Sequence, residues 1–134
     1  MPSEASSPIS ILLVGQASRC QEIKCILLES GIKHELAEAG SCAEAKRFLA
    51  DNRTTVVLCE KQLEDGNWRD ILECADYSSQ SEPSVVVCHP HADDRLWVEV
   101  LNLGAHDLIQ LPTDKDELIR VIESAHRACP KVQR

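Results

Sequence analysis

Aromatic residues are scarce: two tryptophans, one tyrosine and one phenylalanine in 134 residues. A surface that stacks successive nucleobases needs more of them, so a base-stacking platform is not expected. Positive charge is also short. Fourteen lysines and arginines stand against 22 aspartates and glutamates, a formal net charge of −8. That balance opposes non-specific binding to nucleic-acid phosphates. No apolar run approaches the roughly 20 residues that span a bilayer. The N-terminal MPSEASSP has neither the basic start nor the apolar core of an export signal. These absences predict a cytoplasmic protein that binds neither nucleic acid directly nor a membrane.

Cysteine, in contrast, is plentiful. There are seven, Cys20, Cys25, Cys42, Cys59, Cys74, Cys88 and Cys129, and no pair is spaced C-x-x-C. An odd count without metal-ligand spacing reads as small buried hydrophobes in a reducing compartment, not as a disulfide framework or a zinc site.

The length fits one domain. Its organising stretch is TTVVLCEKQLEDGNW, Thr54 to Trp68. Val56-Val57-Leu58-Cys59 is a short apolar run rich in β-branched residues, ending abruptly at Glu60. Such a run reads as a strand buried on both faces, the kind found in a parallel sheet covered by helices. Ligands of open parallel sheets lie at the carboxyl ends of the strands. Glu60 stands at such an end.

The remaining chain repeats the strand-then-helix unit. Ile9 to Val14 is the first strand, stopped by Gly15. Ser18 with Gln21 is a capping box, and the helix it starts closes at Gly31. Lys33 to Ala39 is a weaker strand whose polar content suits a sheet edge. Ser41 and Glu44 form a second capping box, with Ala45, Phe48 and Leu49 as the inner helix face. A third helix runs from about Asn67 to Ala75, followed by a Ser-rich loop from Tyr77 to Pro83. Ser84 to Cys88 is the fourth strand, broken at His89-Pro90-His91. Asp93 or Asp94 caps a helix to Leu103, closed by Gly104. In that helix Leu96, Val100 and Leu103 share a stripe expected to face the sheet, and Trp97 and Leu101 form the adjacent one. Asp107 to Leu111 is the fifth strand. Thr113 and Asp116 begin the last helix, which packs through Leu118, Ile119, Ile122 and Ala125. The expectation is an α/β, flavodoxin-like (βα)5 doubly wound parallel sheet in the order 2-1-3-4-5. Residues 1–8 form a tail, 9–127 the domain, and 128–134 a second tail or a truncated linker.

Several segments, in order, resemble the receiver domain of two-component response regulators over about Ser10 to Ala125. They are the ILLV strand and its short loop, Ala39-Gly40-Ser41 with Ala45, Leu63-Glu64-Asp65-Gly66, Leu101-Asn102-Leu103-Gly104-Ala105 followed by Asp107, and Pro112. The resemblance implies a bacterial signalling domain and a cis Leu111-Pro112 bond. It also implies a phosphorylation pocket, and there the sequence departs from it. Gly15 and Gln16 stand where the family holds Mg²⁺ with acidic residues. Glu60 replaces the phosphoryl-accepting aspartate and Cys88 the hydroxyl residue. Leu111 replaces the lysine, and Leu108 the aromatic switch residue.

With Gly15 and Gln16 in place of acids, one carboxylate, Glu60, is left for the oxygen shell of Mg²⁺, and phosphoryl transfer depends on such electrostatic support. The expectation is therefore an atypical, phosphorylation-independent receiver that is not an enzyme, uses no cofactor or metal, and acts through a protein partner or output domain. Gln16 and His89 are the candidate partners for Glu60. The resemblance also points to the face of the fourth helix, fifth strand and fifth helix, with Trp97, Leu101 and Leu108, as an interaction or homodimer surface. Two alternatives stay open. One is a phosphorylatable receiver using another acid among Glu64, Asp65, Asp93 and Asp94. The other is a metal or redox sensor built on Cys88-His89-Pro90-His91 with Asp93.

Overall fold

The structure, a computed structural model, describes residues 8–76 and 82–129. Most of the expected N-terminal tail, most of the Ser-rich loop and residues 130–134 lie outside these. The elements alternate as expected. Strand β1 (Ile9–Val14) leads to helix α1 (Ala17–Ser30), β2 (His34–Ala39) to α2 (Cys42–Asp51), and β3 (Val56–Glu60) to α3 (Trp68–Asp76). Strand β4 (Ser84–His89) leads to α4 (Asp94–Asn102), and β5 (Asp107–Gln110) to α5 (Lys115–Ala128). The five strands form one parallel sheet in the order β2-β1-β3-β4-β5. Between β3 and α3 a two-residue antiparallel hairpin, Gln62–Leu63 with Gly66–Asn67, forms a separate small ribbon.

Alternation along the central strands explains the layering. Leu12, Val14, Val57, Cys59, Val85 and Val87 point to one face, where α2, α3 and α4 cover them. Ile11, Leu13, Val56, Leu58, Val86 and Cys88 point to the other, under α1 and α5. Both faces are packed, so the strands are continuous apolar runs, as a parallel sheet requires. Leu12, Leu49 and Ile71 are almost wholly excluded from solvent, and truncating such a side chain to alanine costs about 2–5 kcal/mol.

Local signals set most element ends. Ser41 caps α2 by accepting the Glu44 N–H at 3.2 Å. The reciprocal bond of this box runs from the Gly40 N–H to Glu44 at 2.6 Å, one residue earlier than the usual pattern. Asp93 caps α4 through the Leu96 N–H at 2.8 Å. Gly31 ends α1 in the left-handed region at φ 76. The Leu111-Pro112 bond is cis.

Other ends move. Helix α1 starts at Ala17 with Gln16 as its cap residue, not at Ser18, and no side chain supplies the cap bond. Helix α5 starts after Asp114, whose carboxylate accepts the Glu117 N–H at 2.7 Å, so neither Thr113 nor Asp116 is the cap. Asp114 makes the side-chain bond to the N–H three residues on that defines a cap. Leu103 does not join the stripe facing the sheet. Helix α4 ends at Asn102, and Leu103 is 50% exposed. Among the cysteines, Cys20, Cys42, Cys59, Cys88 and Cys129 are buried and Cys74 half-buried, but Cys25 lies exposed on the outer side of α1.

Candidate functional site

The register brings the ends of β1, β3 and β4 together: Val14 pairs with Cys59, and Glu60 with Cys88. The loops that leave these ends surround a cleft of about 940 Å³, bordered by Gly15, Gln16, Glu60, Lys61, His89 and His91. Glu60 is half-buried at its floor. Its side chain turns toward β1, and its Oε2 accepts the backbone N–H of Gln16 at 2.5 Å. That N–H belongs to the cap residue of α1, so a negative charge rests at the positive end of a helix. Gln16 thus partners Glu60, but through its backbone amide; its side chain is exposed.

Gly15 makes the approach possible. An ideal Cβ built on Gly15 would lie 2.6 Å from Cγ and 2.7 Å from Cδ of Glu60, and nearer still to Oε2. The glycine also holds φ 154, a conformation L side chains rarely adopt. Glycine at this position is therefore more than a missing carboxylate. The Glu60 side chain fills the volume that any side chain at position 15 would need.

Cys88 and Leu111 are brought to the same place but on its inner side. Both are buried and, with Cys20, line a small apolar cavity beneath Glu60. Burial first, and the nearby Glu60 charge second, push the Cys88 thiol up to about 12. Burial, with the charges of Glu38 and Glu60, raises Cys20 to about 11. Both are neutral thiols at physiological pH, without the thiolate that reactivity needs.

His89 closes β4 as its last residue and borders the cleft with His91, their ring centroids 6.0 Å apart and nearly perpendicular. Among the described residues, no group of three His, Cys, Asp or Glu side chains is placed to hold a metal ion. Of the alternative acids, Asp65 and Asp93 are engaged at helix starts. Asp65 accepts the N–H groups of Cys42 at 2.8 Å and Ala43 at 3.1 Å, which hold its carboxyl below the usual carboxylate range. Glu64 and Asp94 are exposed.

Sequence reasoning did not place Lys61, Gln62 or Glu44 at the site, yet all three also border the cleft. Lys61 directly follows the strand-end residue, a position that could have flagged it. The other two are brought in by the hairpin and by the start of α2.

On α4, Trp97 is 48% exposed and Leu101 half-buried. Leu108 is buried in the core under α4, so it supports that surface from within and is not on it. Val98 and Leu103 are about as exposed as Trp97.

No protein-family model matches the chain, and no curated protein matches it by sequence. Solved structures do match. A CheY-like response regulator receiver domain protein from Methanospirillum hungatei aligns with a TM-score of 0.75 at 22% identity, over 90% of this chain and 95% of that one. A two-component response regulator from Clostridium difficile aligns with a TM-score of 0.74 at 23% identity, over 90% and 97%. The chemotaxis protein CheY4 of Vibrio cholerae aligns with a TM-score of 0.77 at 16% identity, over 89% and 99%. The architecture is thus a flavodoxin-like doubly wound sandwich. More narrowly, it is the fold of response regulator receiver domains.

Proposed function

We propose that this chain is a receiver-type signalling module that works by binding proteins and not by accepting a phosphoryl group. The observation that carries the reading is the bond from the Gln16 N–H to Glu60. The only carboxylate at the end of β3 is committed to the first turn of α1.

The surrounding donors support it. Mg²⁺ asks for near-octahedral oxygen ligands, usually one or two carboxylates plus waters. Gly15 offers no side chain, Gln16 only a neutral amide, and Leu111 a hydrocarbon in place of a cation. The residues present do not fit the metal of phosphorylated receivers. Cys88, buried and protonated, does not replace a hydroxyl facing the cleft.

In this reading the chain is not an enzyme and acts in the cytoplasm. No helix among the described residues is long and apolar enough to cross a membrane. Its partner is a protein, an output domain or a second copy, met through the face of α4, β5 and α5 that carries the exposed Trp97. An exposed tryptophan beside aliphatic residues is the kind of anchor protein interfaces favour.

The test is incubation with acetyl phosphate and Mg²⁺, followed by intact mass spectrometry. An unchanged mass is expected. A phosphoryl adduct on any residue of the cleft would overturn the reading.

A further inference from the structure

We propose that Glu60 and Gly15 are a matched pair that fastens the cleft from within, tying the β1–α1 loop to the end of β3. This deepens the function proposed above: it names what holds the carboxyl edge in one arrangement when neither metal nor phosphoryl group does.

Three features of the geometry meet at one point. The Glu60 carboxylate accepts the Gln16 N–H. The rest of its side chain occupies the place a Cβ on Gly15 would take. The backbone at Gly15 is in a region that glycine tolerates and other residues resist. Each feature depends on the others. An aspartate at position 60, one C–C bond shorter by about 1.5 Å, would leave the Gln16 amide without this acceptor. Any larger residue at position 15 would push the carboxylate away. The extra methylene of Glu60 and the absent side chain of Gly15 are therefore one adaptation. Glu60 acts here as a positioning residue: it holds the start of α1.

The fastening has a local signature. As cap residue of α1, Gln16 has no partner for its N–H within the helix, so its protection from solvent exchange depends on Glu60. Hydrogen exchange by NMR should show the Gln16 amide exchanging about tenfold faster in Glu60→Ala, the factor one net hydrogen bond supplies. Leu12 and Leu13 in β1 should keep their protection, which separates local release from global unfolding.

A double-mutant cycle gives the second readout. Gly15→Ala should lower the folding equilibrium constant steeply when Glu60 is present. In the Glu60→Ala background the drop should be about tenfold smaller, with only the backbone cost remaining. Equal drops in both backgrounds, or a Gln16 amide indifferent to Glu60→Ala, overturn the pairing. The exchange experiment needs only the single variant, so it decides the matter even if Gly15→Ala does not fold. A phosphoryl adduct on the native chain would refute the proposed function and leave the fastening standing, so the two failures are distinguishable.

Discussion

Asp65 caps a helix that starts 23 residues before it: its carboxylate accepts the backbone N–H of Cys42 at 2.8 Å and also that of Ala43. The hairpin after β3 is thereby fixed to the first turn of α2. Asp65→Ala should lower Tm, and Asp65→Asn less so, because the amide keeps one acceptor oxygen. The folded carboxyl titrates below its ordinary 3.8. Its contribution is therefore complete above that value and fades as pH falls through the depressed folded pKa. Thermal melts at pH 7 and near pH 3 should differ less in Asp65→Ala than in the native chain.

At the opposite edge of the sheet, the ring Nδ1 of His126 lies 2.8 Å from the Thr55 hydroxyl, which itself donates to the Ser10 carbonyl. Burial, then the neighbouring Arg127 charge, depress the His126 pKa below 6.5. A lowered histidine pKa means that the unfolded chain binds the proton more readily. The His126 contribution is present above 6.5 and is lost as pH falls from there toward the folded value. Urea midpoints should drop between pH 7.5 and 5.5, and His126→Gln should flatten that part of the profile. An unchanged slope in the variant would place the effect elsewhere.

Gly31 and Gly66 separate two reasons for glycine. Gly31 sits at φ 76 with nothing within 4 Å of a built Cβ. Gly31→Ala should cost about 1 kcal/mol from backbone conformation alone, and Gly31→Asn less. Gly66 has no such φ, but its Cβ would come within 2.8 Å of Cys42 Sγ and closer to Asp70. Gly66→Ala should therefore be relieved in part by Asp70→Ala, whereas Gly31→Ala should be indifferent to any neighbour. Chemical denaturation of the single and double variants checks both.

Trp97 is about half exposed on α4. Trp97→Ala should weaken self-association or partner binding, read by analytical ultracentrifugation or pull-down with a cognate output domain. Tm should barely change. A large fall in Tm with unaltered association would show that the indole serves the core.

Thiol titration under native conditions should modify Cys25 quickly and Cys74 more slowly, since they are the exposed and half-buried members of the seven. Burial raises Cys20, Cys42, Cys59 and Cys88 above the ordinary thiol range, so they should react only after unfolding. Prompt modification of Cys88 would contradict its placement beneath Glu60.

Much of what depended on local pattern was legible in the sequence. The Val56 to Cys59 run, the caps at Ser41 and Asp93 and the stop at Gly31 each rest on residues within four positions of one another. The strand order followed from the repeated unit and the handedness of crossovers. Some local signals were also missed, such as the Asp114 cap of α5, but much of what was not legible depends on distant partners. The start of α1 was misplaced because the acceptor of the Gln16 N–H comes from Glu60, 44 residues on. Cys42 and Ala43 look uncapped until Asp65 is folded back over them. The last residue of the expected α4 stripe, Leu103, was misassigned because helical spacing was extended past Asn102, where the helix stops. At the site, the substitutions at Gly15 and Glu60 were both visible as departures. That one makes room for the other was not, because spacing along the chain says nothing about volume.

That shared volume also bears on how the chain could change over generations. A side chain added at position 15 would meet the Glu60 side chain already there, so a change at one position is expected to call for a change at the other. The two positions should therefore vary, if at all, together.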